Sequence, residues 1–345
     1  MDNVARSDRD NAARAETSIL DVRGLTVDFS SREGTLQAVR GVDFTMQSGE
    51  CLGIVGESGS GKSVSALAAL GLLGKDARVG GSILLKGAEV RGLGPEQLRA
   101  LRGTVASMIF QEPSRSFDPI SSIGKTFQET LRVKDPDLSA GECQARAVRL
   151  LSEVHIPRAE ERLRGFPHQF SGGMLQRIMI ALALANDPEL LIADEPTTAL
   201  DVTIQAEIIG LLSELRSRRK LSLVFISHNL ALVGQIADQI HVMYAGLVLE
   251  AGPAGRVLSQ PRSPYTRALL DALPSWRSHY SREKLRTIAG SVPDPTHHEP
   301  GCPFAPRCPL AVERCREGVP PLVRGSADEA AGDGAYRCIF PGVKS

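Results

Sequence analysis

The chain has 345 residues, of which 42% are hydrophobic and 23% are charged, so it has the length of two or three domains and enough apolar residues for a core. This composition excludes a disordered or fibrous protein. Lysine and arginine together number 40, as do aspartate and glutamate, and the net charge of zero argues against a protein that coats nucleic acid.

Residues 1–17 are charged and contain no hydrophobic stretch. We therefore expect no secretory signal there and predict a disordered N-terminal arm. No apolar run along the chain reaches the roughly 18 residues that a membrane-spanning helix needs. Any function at a membrane is expected to be performed from its surface.

The first predicted elements are strands. Alternating apolar and polar residues predict half-buried strands at 20–22 and 25–29, and an apolar run ending in glycine predicts a buried strand at 50–55. From 99 to 167 the pattern is typical of helices, with a long charged stretch at 140–154. The N-terminal half is thus expected to combine a sheet with a helical region.

Strands and helices alternate again between residues 170 and 258. The predicted strands are 190–193, 221–226 and 240–243, and the predicted helices are 204–216 and 230–237. This alternation favours an α/β fold with a mostly parallel sheet. Beyond residue 261 proline, cysteine and histidine become frequent and the periodicity fades, so we place a domain boundary near Ser259.

A glycine-rich loop follows the predicted strand at 50–55 and matches the phosphate-loop pattern G-x-x-x-x-G-K-[ST]. Its residues are Gly56, Glu57, Ser58, Gly59, Ser60, Gly61, Lys62 and Ser63, and Val64 opens a predicted helix. In such a loop, backbone N–H groups and the helix N-terminus face phosphate oxygens. Lys62 is expected to reach the β- and γ-phosphates and Ser63 to ligate Mg²⁺. The loop alone indicates only a nucleoside triphosphate.

Two acidic residues, Asp194 and Glu195, end the predicted strand at 190–193. The carboxyl ends of parallel strands form the ligand crevice of α/β sheets. Asp194 is therefore expected to hold Mg²⁺ through water, and Glu195 to polarise an attacking water as general base. A solvated acidic turn is the alternative, which the phosphate loop upstream disfavours.

A serine- and glycine-containing segment precedes the almost wholly apolar helix predicted at 178–185. Its sequence is Phe170-Ser171-Gly172-Gly173-Met174-Leu175-Gln176-Arg177. Ser171 is a natural N-cap, and the helix N-terminus behind it is a second phosphate-binding surface. One triphosphate does not need two such helices from one chain, so this one is predicted to contact the ATP of a partner subunit. A simple N-capped helix is the alternative that the local sequence leaves open.

Together these segments resemble the ATP-binding cassette of ABC transporters, over about residues 20–258. The resemblance implies a P-loop NTPase fold, with a mixed sheet and a helical subdomain at about 99–170, in an ATPase domain spanning 18–258. Two residues depart from the common pattern of the family. Met174 stands where many members have glutamine, and Asn229 stands where aspartate is common. Neither change removes a phosphate or metal contact, so an active ATPase is expected.

The resemblance also assigns roles to residues outside the phosphate loop. Gln111 corresponds to the Q-loop glutamine that meets Mg²⁺, Asp201 belongs to the D-loop, and His228 corresponds to the switch histidine at the γ-phosphate. Phe29 lies where the family places an aromatic ring on adenine. The signature residues that contact the partner's ATP are Ser171, Gly172, Gly173, Met174 and Gln176.

The C-terminal extension, residues 259–345, resembles that of oligopeptide/dipeptide importer ATPases, a group that also includes nickel importers. The resemblance rests on two segments, Ser263-Pro264-Tyr265-Thr266-Arg267-Ala268-Leu269-Leu270 and Gly301-Cys302-Pro303-Phe304-Ala305-Pro306-Arg307-Cys308-Pro309. It favours import over export.

Four cysteines crowd this extension: Cys302, Cys308, Cys315 and Cys338. In a reducing compartment disulfides are not expected and a metal site is favoured, although the spacing is not that of a zinc finger. The resemblance implies a [4Fe–4S] cluster at these residues, with structural zinc and free thiols as alternatives.

The resemblance further implies partners and a location. Two nucleotide-binding subunits would sandwich two ATP molecules, the second being a sister ATPase or another copy of this chain. Two transmembrane permease subunits would contact the helical subdomain, and an extracytoplasmic binding protein would deliver substrate. The chain is thus expected at the cytoplasmic face of the membrane as a peripheral subunit, hydrolysing ATP for di- or oligopeptide uptake, with no nucleic-acid partner.

Several alternatives concern the cargo and the class of protein. The same motor in nickel, opine or glutathione import is one, because nothing in an ATPase subunit touches cargo. A soluble ABC ATPase is another, but repair members need a long coiled coil and translation members carry two cassettes. A redox-sensing module would hydrolyse ATP negligibly, which the complete motif set argues against.

Overall fold

The computed structural model of the protein describes residues 18–31, 34–198, 200–273, 287–324 and 334–340. The predicted arm at 1–17 lies outside these residues. The chain has the predicted α/β architecture, with strands and helices alternating along most of its length. None of the helices in the described ranges is both long enough and apolar enough to cross a bilayer.

The elements are numbered in chain order. The described strands are β1 (Ser18–Ser31), β2 (Gly34–Gln47), β3 (Cys51–Val55), β4 (Ala77–Leu85), β5 (Ala88–Glu89), β6 (Ala106–Ile109), β7 (Leu190–Asp194), β8 (Ser222–Ser227), β9 (Gln239–Tyr244), β10 (Leu247–Pro253), β11 (Val323–Arg324) and β12 (Ala335–Tyr336). The described α-helices are α1 (Lys62–Ala69), α2 (Pro95–Leu101), α3 (Pro113–Ser116), α4 (Ile123–Lys134), α5 (Ala140–Glu153), α6 (Ala159–Arg162), α7 (Gly172–Ala183), α8 (Val202–Arg219), α9 (Leu230–Val233), α10 (Ala254–Ser259), α11 (Pro264–Asp271) and α12 (Arg314–Glu317). Short 3₁₀ turns lie at Pro167–Gln169 and Ala305–Arg307.

A four-stranded sheet has the order β2-β1-β4-β5. In β2, Val42, Phe44 and Met46 are buried while the residues between them are exposed, as expected for a strand with one covered face. The sequence predicted two short strands where the structure has the single strand β1. Gly24, with a φ of 55°, interrupts the alternation inside β1 without ending the strand.

The chain divides into two compact units. One consists of the described parts of Met1–Asp21, Thr45–Glu50 and Leu84–Phe225. In it β6 pairs in parallel with β7, and the strands follow the order β8-β7-β6. β7 is buried along its whole length, as in a sheet covered on both faces.

The helical part of this unit contains α4 and α5, which pack against each other. Ser122 caps α4 by accepting the Lys125 N–H, and Ser139 caps α5 in a capping box with Glu142. The strand β6 corrects the helical prediction for 99–167. Its four residues are too few to show a period, and only the pairing with β7 identifies them as a strand.

The other unit consists of Val22–Phe44, Cys51–Ile83 and the described part of Ile226–Ser345. Here β3 pairs in parallel with β9, and the antiparallel strands β10, β12 and β11 continue the order β11-β12-β10-β9-β3. The strand before the phosphate loop and the C-terminal extension therefore belong to one unit, and the boundary predicted near Ser259 falls inside it.

A buried ion pair joins the end of the cassette to the extension in this unit. Glu250 on β10 is completely buried, and its carboxylate lies 2.7 Å from Arg256 on α10. The same carboxylate accepts the backbone N–H groups of Arg262 and Ser263, both at 2.9 Å. Because both carboxylate oxygens of Glu250 accept hydrogen bonds from residues further along the chain, the pair fixes the chain path from β10 to the start of α11.

The short helix α9 is a second difference from the sequence prediction, which placed a helix at 230–237. Asn229 caps α9 by accepting the N–H groups of Ala231 and Leu232. The helix ends after one turn, and Gly234 is its C-terminal cap residue. Glycine is the least favourable residue for a helix interior apart from proline, which accounts for the early end.

Candidate functional site

The phosphate loop leaves the buried strand β3 and turns into α1. A Cβ atom at Gly56 would lie 2.1 Å from the carbonyl oxygen of Met243, and one at Gly61 would lie 2.5 Å from that of Ala38. Gly61 also has a φ of 96°, a left-handed conformation that costs glycine little. Only glycine fits at these two positions, which explains why the motif has glycines there.

Lys62 begins α1 and turns its ammonium group back over the loop. The side chain is buried, and Nζ donates to the carbonyl oxygens of Gly56 at 2.8 Å and Glu57 at 2.9 Å and to Ser60 Oγ at 3.3 Å. A buried charge needs such partners. The loop therefore holds a positive charge beside the N-terminus of α1, where triphosphate oxygens are expected. Ser63, the predicted Mg²⁺ ligand, is the next residue of α1.

Glu57, inside the phosphate loop, is held by two residues of the C-terminal extension. Arg307 binds its carboxylate with two hydrogen bonds, of 2.6 and 3.0 Å. The Tyr265 hydroxyl accepts its backbone N–H at 2.9 Å. The sequence did not predict Tyr265 or Arg307 as site residues. The sequence did contain one indication of such a partner. Glu57 places a negative charge in a loop that binds anions, and such a charge is expected to have a cation close to it.

In the other unit, Glu195 follows β7 and meets the predicted Q-loop glutamine. Gln111 Nε2 donates to Glu195 Oε2 at 3.1 Å, and Thr198 Oγ1 donates to the same oxygen at 2.8 Å. Glu195 has a φ of 46°, unusual for a residue with a side chain. The structure thus brings together two predicted site residues, Gln111 and Glu195, and adds Thr198. Strained backbone of this kind is concentrated at functional sites.

Asp194 is the last residue of β7 and only 5% of it is exposed. Its carboxylate is an oxygen ligand of the kind that Mg²⁺ prefers, as is the amide oxygen of Gln111 in the same unit. Within the described ranges no three His, Cys, Asp or Glu side chains lie close enough together to hold an ion. A Mg²⁺ bound with ATP does not require such a group, because substrate phosphates and water complete its coordination.

The signature segment forms the start of α7. Ser171 Oγ accepts the Met174 N–H at 3.3 Å, which confirms the N-cap predicted from the sequence. Ser171 and Gly172 are exposed, so this helix terminus is open to a ligand. Gln176 differs from the other predicted signature residues, because only 1% of it is exposed. It lies on the same helix stripe as the buried Met179, Ile180 and Ala183.

The remaining predicted nucleotide contacts lie at exposed or half-buried positions. Asp201 caps α8 by accepting the Ile204 N–H at 3.0 Å. His228 is exposed directly after β8, and Phe29 is half-buried in β1. The exposure of His228 and Phe29 is compatible with ligand contacts.

The four cysteines of the extension line one cavity, together with apolar residues such as Leu249, Phe304 and Leu310. Burial raises the pKa of the Cys302, Cys308 and Cys338 thiols. None of the four belongs to a metal-binding group within the described residues. The structure therefore gives the [4Fe–4S] cluster predicted at Cys302, Cys308, Cys315 and Cys338 no support.

Comparison with family models and curated proteins gives consistent matches. Residues 39–198 match the family model described as ABC transporter, and residues 249–315 match oligopeptide/dipeptide transporter, C-terminal region. The chain is 44% identical to the oligopeptide transport ATP-binding protein OppD of Salmonella typhimurium over 94% of both chains. It is 45% identical to OppD of Escherichia coli, over 90% of this chain and 91% of that protein. A Brucella abortus protein named as a proposed peptide import ATP-binding protein is 46% identical, over 88% of this chain and 90% of that protein.

Solved structures agree with this fold. A dimeric bacterial ABC transporter cassette, MJ0796, covers 68% of this chain and 98% of its own, with a TM-score of 0.61 at 24% identity. The cbiO1 protein of Clostridium perfringens, part of an ABC transporter complex, covers 71% of this chain and 92% of its own, with a TM-score of 0.60 at 26% identity. The phosphate loop and the acids after β7 agree with both family matches. The chain therefore belongs to the ABC transporter family and is an ATPase that carries the oligopeptide/dipeptide transporter C-terminal region.

Proposed function

We propose that the chain is the ATP-hydrolysing subunit of an importer, coupling ATP binding and hydrolysis to the uptake of di- and oligopeptides. The observation that carries this proposal is the presence, in one chain, of the ABC cassette and the oligopeptide/dipeptide transporter C-terminal region. The names of the relatives, oligopeptide transport and peptide import, support the same cargo class. Nickel, opine and glutathione are the alternative cargoes.

The phosphate loop is the part of the site that binds the triphosphate. Its N–H groups and Lys62 neutralise charge on the β- and γ-phosphates, and His228 contacts the γ-phosphate. Phe29 stacks on the adenine ring. Ser63, Gln111 and Asp194 are the residues that would hold Mg²⁺, which would neutralise further charge on the phosphates.

Glu195 is the general base of this proposal. Its Oε2 is oriented by Gln111 and Thr198, and an oriented carboxylate within hydrogen-bond reach of a water is what a general base requires. Gln111 thereby links the base to the helical part of the chain, which the permease would contact. A movement of Gln111 would alter the orientation of Glu195, and this provides a physical route from transport to hydrolysis.

The exposed start of α7 supports a second contact with nucleotide. Ser171, Gly172, Gly173 and Met174 would bind the ATP of a second ATPase subunit, a sister protein or a second copy, because helix N-terminal amides favour phosphate oxygens. Two permease subunits and an extracytoplasmic binding protein complete the complex. The chain would then lie peripherally at the cytoplasmic face of the membrane.

The [4Fe–4S] cluster stays a prediction, and the four cysteines named for it line one cavity. It is tested by the iron content and visible absorption of the full-length protein purified without oxygen. Bound iron that is lost in Cys308→Ser and kept in the control Cys143→Ser would support it. Wild-type protein that contains no iron would exclude the cluster.

The proposed function is tested with the complex isolated from native membranes through a tag on this chain and reconstituted in liposomes. Its composition shows whether one or two kinds of ATPase are present. We expect ATP hydrolysis to rise several-fold when the binding protein carries a peptide, since cargo binding and ATP turnover are coupled. Stimulation by nickel, opine or glutathione in place of peptide would contradict the peptide assignment.

A further inference from the structure

We propose that Arg307 and Tyr265 of the C-terminal extension are positioning residues for ATP, which act by holding Glu57 of the phosphate loop. The proposal rests on the proposed function of this loop as the ATP site. It assigns the extension a direct part in nucleotide affinity. All three residues lie in the same compact unit.

The guanidinium of Arg307 is fixed in place by several acceptors. Nη1 and Nη2 bind the two carboxylate oxygens of Glu57, at 2.6 and 3.0 Å. Nε donates to the Ala289 carbonyl oxygen at 2.9 Å, and Nη2 also donates to that of Ile288 at 3.3 Å. Only 5% of the side chain is exposed. A planar, two-pronged pair of this kind sets the direction of the carboxylate as well as its charge.

Tyr265 holds the backbone of the same loop residue. Its hydroxyl accepts the Glu57 N–H at 2.9 Å, while the Glu57 carbonyl oxygen accepts from Lys62 Nζ at 2.9 Å. The Tyr265 ring is fully buried between Tyr244 and Phe304, with ring centroids 4.6 and 5.1 Å away. Glu57 is therefore held through its side chain and its N–H, while its own carbonyl oxygen binds Lys62.

This arrangement has two consequences for ATP. A free carboxylate at position 57 would repel the triphosphate, since like charges a few ångströms apart interact strongly when partly shielded from water. Arg307 neutralises that charge. An ordered loop also requires less loss of conformational entropy when ATP binds, so affinity rises. Both effects act on binding, and the chemical step, which depends on Glu195, is expected to change little.

The test measures KM for ATP and kcat in the reconstituted complex for Arg307→Met, Arg307→Lys and the control Arg314→Met. Arg314 is an exposed arginine on α12 in the same extension. We expect Arg307→Met to raise KM about tenfold with kcat within about twofold of wild type, because hydrogen bonds to a charged group are lost. Arg307→Lys should recover part of the affinity by restoring the charge, and Arg314→Met should leave KM unchanged.

Two further variants show whether the effect passes through Glu57. In a Glu57→Gln background, adding Arg307→Met should change KM less than about twofold, since the carboxylate that Arg307 neutralises is gone. Tyr265→Phe keeps the buried ring and removes the hydroxyl, and it should raise KM about threefold. It is the variant to rely on if Arg307→Met gives little folded protein.

An unchanged KM in active Arg307→Met and Tyr265→Phe would overturn the proposal. So would an equal rise in KM from Arg307→Met with and without the Glu57 carboxylate, or a fall in kcat with KM unchanged. Absence of ATP hydrolysis by the wild-type complex would overturn the proposed function as well, and so the two failures are distinguishable.

Discussion

Among the single residues, Glu195 has the most specific proposed chemical role, that of general base. One of its oxygens accepts hydrogen bonds from Gln111 and Thr198, and its backbone has a φ of 46°. These constraints fix the orientation of the Glu195 carboxylate at the end of β7. The preceding residue, Asp194, is buried. The two neighbouring acids at this strand end thus have different environments, and we propose different roles for them.

Glu195→Gln keeps the size of the side chain and removes the base. We expect the complex to bind ATP with wild-type affinity and to hydrolyse it at least about 100-fold more slowly, the usual contribution of a general base. Binding is measured by titration with labelled ATP and hydrolysis by phosphate release. The matched control is Glu160→Gln, an exposed glutamate on α6. Wild-type turnover in Glu195→Gln would refute the assignment.

At the scale of the elements, the N-terminus of helix α8 is capped by the side chain of Asp201. Asp201→Ala should lower the free energy of unfolding by about 1 kcal/mol, because the Ile204 N–H loses its acceptor. Asp201→Asn should stay close to wild type, since asparagine caps helices as well as aspartate does. Urea unfolding of the full chain measures both. Equal destabilisation by the two substitutions would argue against the cap.

The sequence predicted those parts of the site that are local in the chain. The phosphate loop, the acids after β7 and the cap at Ser171 each follow from a few adjacent residues and their physical preferences. Arg307 was missed because its contact with Glu57 joins residues 250 positions apart. The contact of Gln176 with the partner's ATP stays a prediction from the family pattern, and in the structure Gln176 is one of the buried residues of α7.

At the scale of the whole molecule, the stability of the fold should depend on pH through His241 on β9. Burial lowers its pKa to about 4, although Asp43 acts in the opposite direction. In the unfolded chain the imidazole takes up a proton below about pH 6.5. The free energy of unfolding therefore decreases as the pH falls from about 6.5 towards 4, since the unfolded state binds more protons.

This dependence is measured as the urea midpoint of the full chain at about pH 7 and about pH 5. We expect a lower midpoint at the lower pH, and a smaller difference in His241→Asn, which lacks the titrating group. His168→Asn, at an exposed histidine, is the control and should keep the wild-type difference. An undiminished pH dependence in His241→Asn would show that other groups cause it.

The whole chain is proposed to work as the motor of peptide import, and cellular uptake tests this most directly. Uptake of labelled dipeptide, pentapeptide and Ni²⁺ is compared in cells that lack the gene, complemented with wild type or with Glu195→Gln. We expect peptide uptake to be lost without the gene and restored by wild type alone. Peptide uptake that survives the deletion, or a dependence on the gene for Ni²⁺ alone, would contradict the proposed function.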